Sequence, residues 1–406
     1  MQSTKNRVTL IGITAGLVWS LLIGTSTSAI AIPAFAKKYK ADCTMCHSNF
    51  PRLNDFGTVY RRNGYKLPGH EKEELSTLKE VMPVSIIVKA NASSASGDTR
   101  TYWSGRLDAA SGGYLGGNLG FFAVIPTYSD NNAYAITAHV PNRASIVITN
   151  LHSTWLNLRA GQFEPAYIPF SLERRIGTLP YLVYRFARVG DNYESSFASA
   201  QTGIEFYGYG ASGIEYAAGC INASDGEYVK NAGLGFYVRG TKTFGRGEGQ
   251  TSGQRIGITG LFGRAQVQYT DYNYTIEFPA GNYSRIGADA SLNSGKWNLA
   301  LQYLQIIDDS EISPWIDDTS YPGGFAELSY RPSNNVVGYL GYDYVHKPDS
   351  DQYIYDGFRE VCYTLGGRYY FRNNCAFSVG YSRYSFDSWD TSDSTNNLSA
   401  GIDLAF

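Results

Sequence analysis

The feature that most constrains the fold of this chain is a regular alternation of apolar and polar residues in its C-terminal half. The last ten residues, NLSAGIDLAF, place Leu398 and Phe406 on one side of an extended strand and Ser399 on the other. The same period of two recurs in CAFSVGYSRY, at 375–384, and in WNLALQY, at 297–303. Alternation of this kind predicts β-strands that have one apolar face and one polar face.

Two classes of all-β protein share this pattern, the soluble sandwich and the outer-membrane barrel. The chain carries 33 Tyr, 44 Gly and 14 Pro among its 406 residues, and no apolar run after residue 31 reaches the roughly 18–20 residues of a membrane-spanning helix. In a barrel only every second residue faces lipid, and aromatic residues form girdles at both membrane surfaces. The aromatic content of the alternating segments and the terminal Phe406 favour a barrel, because the apolar face of a sandwich would be mainly aliphatic.

The lengths of the connections give independent evidence for a barrel. Going back from the C-terminus they alternate between long and short: DSWDTSDSTNN, RNN, KPDSDQYIYDG, RPSN, DDSEISPWIDDTSYPGG and NSGK. Outer-membrane barrels have short periplasmic turns and longer outer loops. The sequence therefore predicts an all-β fold, a transmembrane outer-membrane barrel of about sixteen antiparallel strands over residues 81–406. The alternation is lost between residues 164 and 200, where FSLERRIGTLPYLVYRF, at 170–186, is expected to fold into the lumen.

The N-terminal segment, residues 1–31, is predicted to be a signal peptide. Lys5 and Arg7 precede an apolar stretch at 8–24, and Ala29-Ile30-Ala31 fits a signal-peptidase site. A retained membrane anchor and a second cleavage site five residues later are the alternatives. The sequence thus predicts export, with outer-membrane localisation of the barrel.

A motif with different chemistry precedes the predicted barrel. Cys43, Cys46 and His47 form C-x-x-C-H, which is a signature of c-type haem attachment in an exported protein. On one helical turn, both thiols reach the vinyl groups on one side of a porphyrin while His47 points at the iron. The alternatives are a structural disulfide, a redox pair, which would be expected in a βαβ setting, and half of a zinc site, which would need a second ligand pair. We therefore predict one covalent haem c.

The residues after this motif predict a short supporting helix. Pro51 could occupy its first turn. Phe50, Leu53, Phe56 and Tyr60 recur at the three- and four-residue spacing of one helical face, and Gly64 can end the helix. This apolar face would pack equally well in an ordinary core or on the edge of a porphyrin.

The charge distribution suggests where this segment lies. Residues 32–70 carry seven Lys or Arg against two Asp, while residues 71–406 are acidic. A segment this short is unlikely to bury a haem alone, because such small units depend on a cofactor or a partner surface. We predict that residues 32–80 form a monohaem plug and linker, held in the lumen or at its periplasmic side.

The second axial ligand of the iron is left open by the sequence. Met82, just before the first predicted strand, is preferred over His70 in the linker LPGHEKEE, and a barrel residue or water is also compatible. A methionine raises the potential of a haem relative to a second histidine. The predicted iron ligands are therefore His47 and Met82. No function is predicted for three further cysteines: Cys220, Cys362 and Cys375.

The N-terminal segment also resembles a known family. AIPAFAKKYKADCTMCHSNFPRLNDFGTVYRRNGYKL, at 31–67, closely resembles the N-terminal segment of the outer-membrane cytochrome–porin fusions of iron-oxidising bacteria. PAFA, C-x-x-C-H, P-x-LN-x-FG and NGY occur in the same order, and LRAGQFEPAYIPFSLERR, at 158–175, is similar to the inner-wall segment of that family. The resemblance implies a single haem inside a porin-like barrel, with Cys43 and Cys46 as thioether links and His47 as proximal ligand.

Three functions are compatible with these observations. The resemblance favours uptake of electrons from extracellular Fe(II) or another reduced donor, which would give the protein Fe(II) oxidase activity. A periplasmic c-type cytochrome or another carrier would be the acceptor. Export of electrons to an external acceptor would use the same parts in reverse, and a diffusion porin with a structural haem is the third. The acidic outer loop DDSEISPWIDD, at 308–318, could concentrate Fe(II) or simply solvate the surface. Outer-membrane lipid is the remaining predicted partner, and no nucleic-acid surface, catalytic triad or phosphate loop is present.

Overall fold

The computed structural model describes most of the region beyond residue 83 and two short pieces before it. The described residues are 45–47, 52–67, 84–97, 100–131, 143–171, 174–177, 179–187, 197, 200–222, 229–245, 253–271, 274–309, 319–347, 357–372, 375–388 and 391–405. The predictions for residues 1–31, for Cys43, for His70 and for Met82 lie outside these ranges.

The described part of the chain is almost entirely β-structure. Its two helices are α1 (Asp55–Arg62) and α2 (Leu182–Phe186). Its strands are β1 (Val84–Ala95), β2 (Thr101–Gly116), β3 (Leu119–Asn131), β4 (Arg143–Ile148), β5 (Asn157–Phe163), β6 (Gln201–Tyr209), β7 (Ile214–Asn222), β8 (Val229–Ala232), β9 (Leu234–Phe244), β10 (Gln254–Asp271), β11 (Tyr274–Ser294), β12 (Trp297–Asp308), β13 (Thr319–Ser333), β14 (Val336–Lys347), β15 (Phe358–Arg372), β16 (Cys375–Ser388) and β17 (Ser392–Ala405). Within the described ranges, neither helix is long and apolar enough to cross a membrane.

The strands form one closed antiparallel barrel. Neighbours in sequence pair with each other, and β1 pairs both with β2 and with β17, where the register runs from Ile87 opposite Ala405 to Ala95 opposite Asn397. Strands β8 and β9 are separated only by Gly233 and both pair with β10, so they occupy one position in the wall. The wall therefore has sixteen positions, and the predicted closed barrel is confirmed.

The two faces of the wall are inverted relative to a soluble protein. In β9, Phe236 is 58% exposed on the outside, whereas its neighbour Tyr237 is 1% exposed and faces inward. Leu398 is likewise exposed and Ser399 buried, and Trp297 is exposed and Asn298 buried. An apolar outer belt around a polar interior is the pattern of a barrel that faces lipid. The alternation in the sequence thus predicted correctly which side chains point outward.

The two ends of the barrel differ in their connections. Two-residue connections follow β2, β11, β13 and β15 at one end, where the first residue of β1 and the last residue of β17 also lie, together with two longer connections at 149–156 and 245–253. At the other end the connections after β3, β12 and β14 have ten or eleven residues, and the one after β10 has two. We call the end with four two-residue connections the short-turn end, and it corresponds to the periplasmic end of outer-membrane barrels. The predicted turns NSGK, RPSN and RNN all lie here.

One predicted loop is wrong. DSWDTSDSTNN was expected to be a long outer loop, but β16 and β17 run on to Ser388 and Ser392, with Asp387 opposite Ser392. The residues here are polar on both faces of the hairpin, and Ser392 Oγ donates to Asp387. A hairpin that faces water on both sides has no need of apolar alternation, so the period of two did not reveal it.

The connection between β5 and β6 folds into the lumen, as predicted. Strand β5 has only seven residues, so the chain leaves the wall partway along the barrel and turns inward. Helix α2 packs against β13, β14 and β15, and the Leu182 N–H donates to Asp343 Oδ1 at 3.0 Å. Residues of this inward segment form a buried cluster with wall side chains, including Tyr181 stacked on Phe325 at 3.6 Å between ring centroids.

Candidate functional site

The described part of the haem motif lies inside the barrel at the short-turn end. His47 is buried and forms an isolated β-bridge with Leu53. Burial raises the pKa of the Cys46 thiol to about 11, so this thiol is uncharged at neutral pH. Redox-active cysteines have a lowered pKa instead. In a C-x-x-C redox pair the nucleophile is the first cysteine, here Cys43, which lies outside the described ranges, so the raised pKa of Cys46 does not test that alternative.

The histidine ring has the orientation that a metal ligand needs. His47 Nδ1 lies 3.2 Å from the carbonyl oxygen of Arg52, and because a carbonyl can only accept, Nδ1 is the donor. Metal-binding histidines characteristically donate one ring N–H to a backbone carbonyl or carboxylate, which directs the other nitrogen to the metal. The chemistry of Cys46 and His47 thus fits a covalently attached haem with His47 Nε2 as the proximal ligand.

Asn54 connects the motif to helix α1. Its side chain accepts from the Gly57 N–H at 2.9 Å and caps the helix, while its Nδ2 donates to the carbonyl of Met45 at 3.0 Å. Its own N–H donates to the carbonyl of Cys46 at 3.0 Å. One residue therefore starts the helix and holds two carbonyls of the C-x-x-C-H loop. These contacts give a structural reason for the LN pair that follows the motif.

Replacing Asn54 by alanine should loosen the motif from the helix. An N-cap is worth about 1 kcal/mol, and the Met45 carbonyl would lose its donor as well. We expect hydrogen exchange in residues 55–60 to accelerate about tenfold, measured by mass spectrometry in detergent. Asn54→Ser is the control, since serine keeps the cap and should retain most of the protection. Equal protection in the wild type and Asn54→Ala would contradict this role.

Gly57 allows the closest approach of the motif to α1. A Cβ at this position would lie 2.1 Å from the carbonyl oxygen of Cys46, where no real side chain fits. The helix ends as predicted near Gly64, which has a φ of +63° and lies against Gly120 of β3. Small residues thus set the distance from α1 to the motif on one side and to the wall on the other.

The segment around α1 is bonded to the inner wall on several sides. Arg52 pairs with Glu327 of β13 at 2.5 Å, and it also donates to Asn298 at 2.7 Å and to Tyr181 at 2.9 Å. Both members of the ion pair are 4% exposed. The burial and the two additional hydrogen bonds make this the central contact between the segment and the wall.

The other end of the segment reaches the opposite side of the ring. Lys66 is buried and its Nζ donates to the carbonyl of Gly117, in the turn after β2. The Tyr65 ring stacks on Phe122 of β3 with centroids 5.5 Å apart, and the Tyr207 hydroxyl of β6 donates to the carbonyl of Arg62 at 2.6 Å. The segment therefore spans the lumen from β2 to β13.

The sequence did not reveal the arginines that surround α1. Arg159, Arg174, Arg239 and Arg255 come from four separate stretches and line one cavity beside the helix. Each strand arginine, taken alone, is only an inward-facing polar residue in an alternating strand. The segment LRAGQFEPAYIPFSLERR contains two of them and was the only local signal.

Predicted residues outside the described ranges have no place in this geometry. Cys43, Met82 and His70 fall there, so the second thioether and the second axial ligand stay predictions. Most of the acidic segment 308–318 also falls there. In the parts of the chain that the structure describes, no group of three or more His, Cys, Asp or Glu side chains is arranged to hold a metal ion.

Comparison with known proteins shows the fold. No family model and no curated protein matches this chain. It is similar to an OmpT loop-deletion mutant of Vibrio cholerae (TM-score 0.55, 12% identity, 80% of this chain and 99% of that chain). It is also similar to the anion-selective porin of Comamonas acidovorans (TM-score 0.54, 15% identity, 80% of this chain and 99% of that chain). A third similar structure is OmpF of Salmonella typhi (TM-score 0.53, 13% identity, 82% of this chain and 100% of that chain). The chain has a porin-like barrel fold, and with its apolar outer belt this supports the predicted outer-membrane localisation.

Proposed function

We propose that this chain is an outer-membrane electron-transfer protein that carries one haem c inside a porin-like barrel. Cys43 and Cys46 would hold the haem covalently and His47 would be its proximal ligand, as the resemblance to cytochrome–porin fusions implies. When bound, the haem supplies a one-electron couple that the side chains of the lumen lack. The observation that carries the proposal is the hydrogen bond from His47 Nδ1 to the Arg52 carbonyl, inside the barrel.

The position of the motif supports a role between two compartments. Cys46 and His47 lie at the short-turn end, toward the side on which a periplasmic carrier would dock. The long loops lie at the opposite end, where an external donor such as Fe(II) would arrive. Electron uptake is the preferred direction, and export to an external acceptor would use the same residues. Met82, or His70, would complete the coordination of the iron.

The porin fold favours a second candidate, a diffusion porin in which the haem is structural. One of the solved barrels named above is an anion-selective porin with a similar fold, and this likeness supports the candidate. The described lumen argues for a restricted passage, because α1 and the inward segment occupy part of it; one cavity beside α1 measures about 70 Å³. A cavity of that size holds a few water molecules.

Covalent haem and pore conductance distinguish the two candidates. We expect the purified protein to carry one covalent haem per chain by pyridine haemochrome assay, and Cys46→Ser to lose the normal two-bond attachment. Cys220→Ser should keep it, because that cysteine is a wall residue of β7. In planar bilayers the wild type should show little steady conductance. A chain without covalent haem that conducts like a porin would refute electron transfer.

The direction of transfer is tested on the same preparation. Uptake predicts rapid reduction of the haem by Fe(II) and a positive midpoint potential in a spectroscopic titration. A strongly negative potential with no reduction by Fe(II) would favour export instead.

A further inference from the structure

Beside α1 lies a cavity whose charged lining residues are almost entirely cationic, and we call it the arginine cavity. The N-terminal segment contributes Arg52, Arg61 and Arg62. The wall and the inward segment contribute the four further arginines named above, and Glu205 is the single carboxylate among the lining residues. A buried space lined by so many like charges needs negative charge from somewhere.

The carboxylates behind the lining do not balance these arginines. Four pairs are one to one: Arg52–Glu327, Arg62–Glu215, Arg159–Glu205 and Arg239–Asp289. By contrast, one carboxylate, Glu164, serves Arg61, Arg174 and Arg143, at 3.7, 2.6 and 3.4 Å. Among the described residues, no carboxylate lies within ion-pairing distance of Arg255. Among the described residues, the seven lining arginines have five carboxylates within ion-pairing distance, two fewer than the arginines, and Asp55 acts on Arg255 only at longer range.

Unused hydrogen-bond donors point to the same deficit. Arg52 is 4% exposed, and its Nε is buried without a hydrogen-bond partner. The Nε atoms of Arg159 and Arg255 are also buried without partners. Burial and the neighbouring arginines lower the pKa of Arg61 and of Arg62 to about 9, which shows how poorly these charges are compensated. A buried donor without a partner is costly, so several together indicate a ligand.

The uncharged lining combines apolar side chains with the hydroxyl-bearing residues Thr58, Tyr65, Tyr207, Tyr216 and Ser291. Val147, Ile168, Pro169 and Phe170 form one side of the cavity, and the guanidinium of Arg52 lies 5.5 Å from the centroid of the Phe170 ring. The cavity therefore suits a ligand that has an apolar body and two anionic groups.

The arginine cavity also begins next to the proximal histidine. Arg52 accepts the His47 Nδ1–H through its carbonyl, Leu53 forms the β-bridge with His47, and both residues line the cavity. Two of the residues that line the arginine cavity are therefore the two that bond to His47.

We infer that the arginine cavity binds the two propionate carboxylates of the haem. This inference rests on the proposed function, because it takes a haem at Cys46 and His47 as the ligand. Two carboxylates match the excess of two positive charges, and arginine is the side chain best suited to bidentate carboxylate binding. A free dianion such as inorganic phosphate shares this chemistry and is the other possible occupant.

The test uses the holoprotein and the variant Arg255→Gln. Arg255 has no carboxylate of its own within ion-pairing distance in the described structure, so its removal leaves no unpaired acid beside it. Losing a positive charge near the propionates should favour the oxidised haem by about tenfold, a fall of about 59 mV for a one-electron couple. Resonance Raman bands of the propionates should shift in the same variant. The matched control is Arg264→Gln, on the same strand but exposed, where both signals should stay unchanged.

A second variant covers failure of the first to fold. Arg61→Gln leaves Glu164 paired with Arg174 and Arg143, and it should give a shift of the same sign. Unchanged potential and unchanged propionate bands in both variants, with covalent haem still present, would overturn the inference and leave the proposed function standing. Absence of covalent haem from the wild type would overturn both.

Phosphate binding separates the two possible occupants. Protein in which Cys43→Ser and Cys46→Ser together prevent haem attachment should bind inorganic phosphate, measured as thermal stabilisation, and the addition of Arg255→Gln should abolish that binding. The holoprotein should not bind phosphate, since the propionates would already fill the cavity. Equal phosphate binding by haem-free and haem-loaded protein would overturn the propionate assignment in favour of a free anion.

Discussion

Replacing Arg52 by methionine should release α1 and the C-x-x-C-H loop from the barrel wall. The ion pair with Glu327 is buried on both sides, and the same guanidinium also binds Asn298 and Tyr181. Removing one partner of a buried pair costs about 3–5 kcal/mol, because the remaining charge stays buried without compensation. The wall has its own ladder of hydrogen bonds, so the loss should be local.

Hydrogen exchange of residues 52–67 in the detergent-solubilised protein measures this loss. A cost of about 3 kcal/mol corresponds to an opening equilibrium more than a hundredfold larger. Two controls define the cause. The double variant Arg52→Met with Glu327→Met should recover most of the protection, since no charge is left unpaired.

The second control is an ion pair of similar length at the surface. Arg359 and Asp387 lie 2.7 Å apart with side chains that are 56% and 34% exposed. Exposed pairs contribute about 0–1 kcal/mol, so Arg359→Met should change exchange little anywhere in the chain. If Arg52→Met also left hydrogen exchange unchanged, the pair with Glu327 would not contribute to holding residues 52–67 against the wall.

Substituting Gly57 by alanine should separate the motif from α1, with an effect opposite to the usual one. In a helix, alanine is normally more stable than glycine by about 1 kcal/mol. Here the new Cβ would lie 2.1 Å from the Cys46 carbonyl oxygen, so the two backbones must move apart. Overpacking of this kind costs about 1–3 kcal/mol, and the bond from the Asn54 N–H to the Cys46 carbonyl would be the first to lengthen.

The sign of the change makes this prediction sharp. We expect faster exchange in residues 54–60 and a lower yield of covalent haem per folded chain. Gly105→Ala in β2 is the matched control, because a Cβ there meets nothing within 4 Å. Slower exchange in Gly57→Ala would mean that helix propensity dominates and that the close contact is not a constraint.

The wall could be predicted from the sequence because lipid imposes a local rule. At Leu398 and Ser399, or at Trp297 and Asn298, the polarity of each residue predicts whether it faces lipid or the lumen, and no distant position is needed. The helix was equally local, since Gly64 and the apolar spacing before it belong to one short stretch. The rule failed at Ser388–Ser392, where both faces of the hairpin are polar.

The site could be predicted only where the residues that form it are close together in the sequence. Cys46 and His47 were found because their spacing is a motif. The partners of Arg52 were not, since Glu327 lies 275 residues further along the chain and Asn298 lies 246. The arginine cavity could not be predicted for the same reason, because its arginines lie far apart in the sequence and meet around α1 only when the barrel has closed.

The pairing of residue 52 with residue 327 also sets an order of events in synthesis. The segment that bears Cys46 and His47 is made early, but its main anchor belongs to β13, which leaves the ribosome 275 residues later. Contacts so far apart in sequence form late, because the whole intervening chain must be placed first. The segment is therefore synthesised first and docked last. Until the wall closes, Cys46 and His47 are therefore not yet enclosed by it.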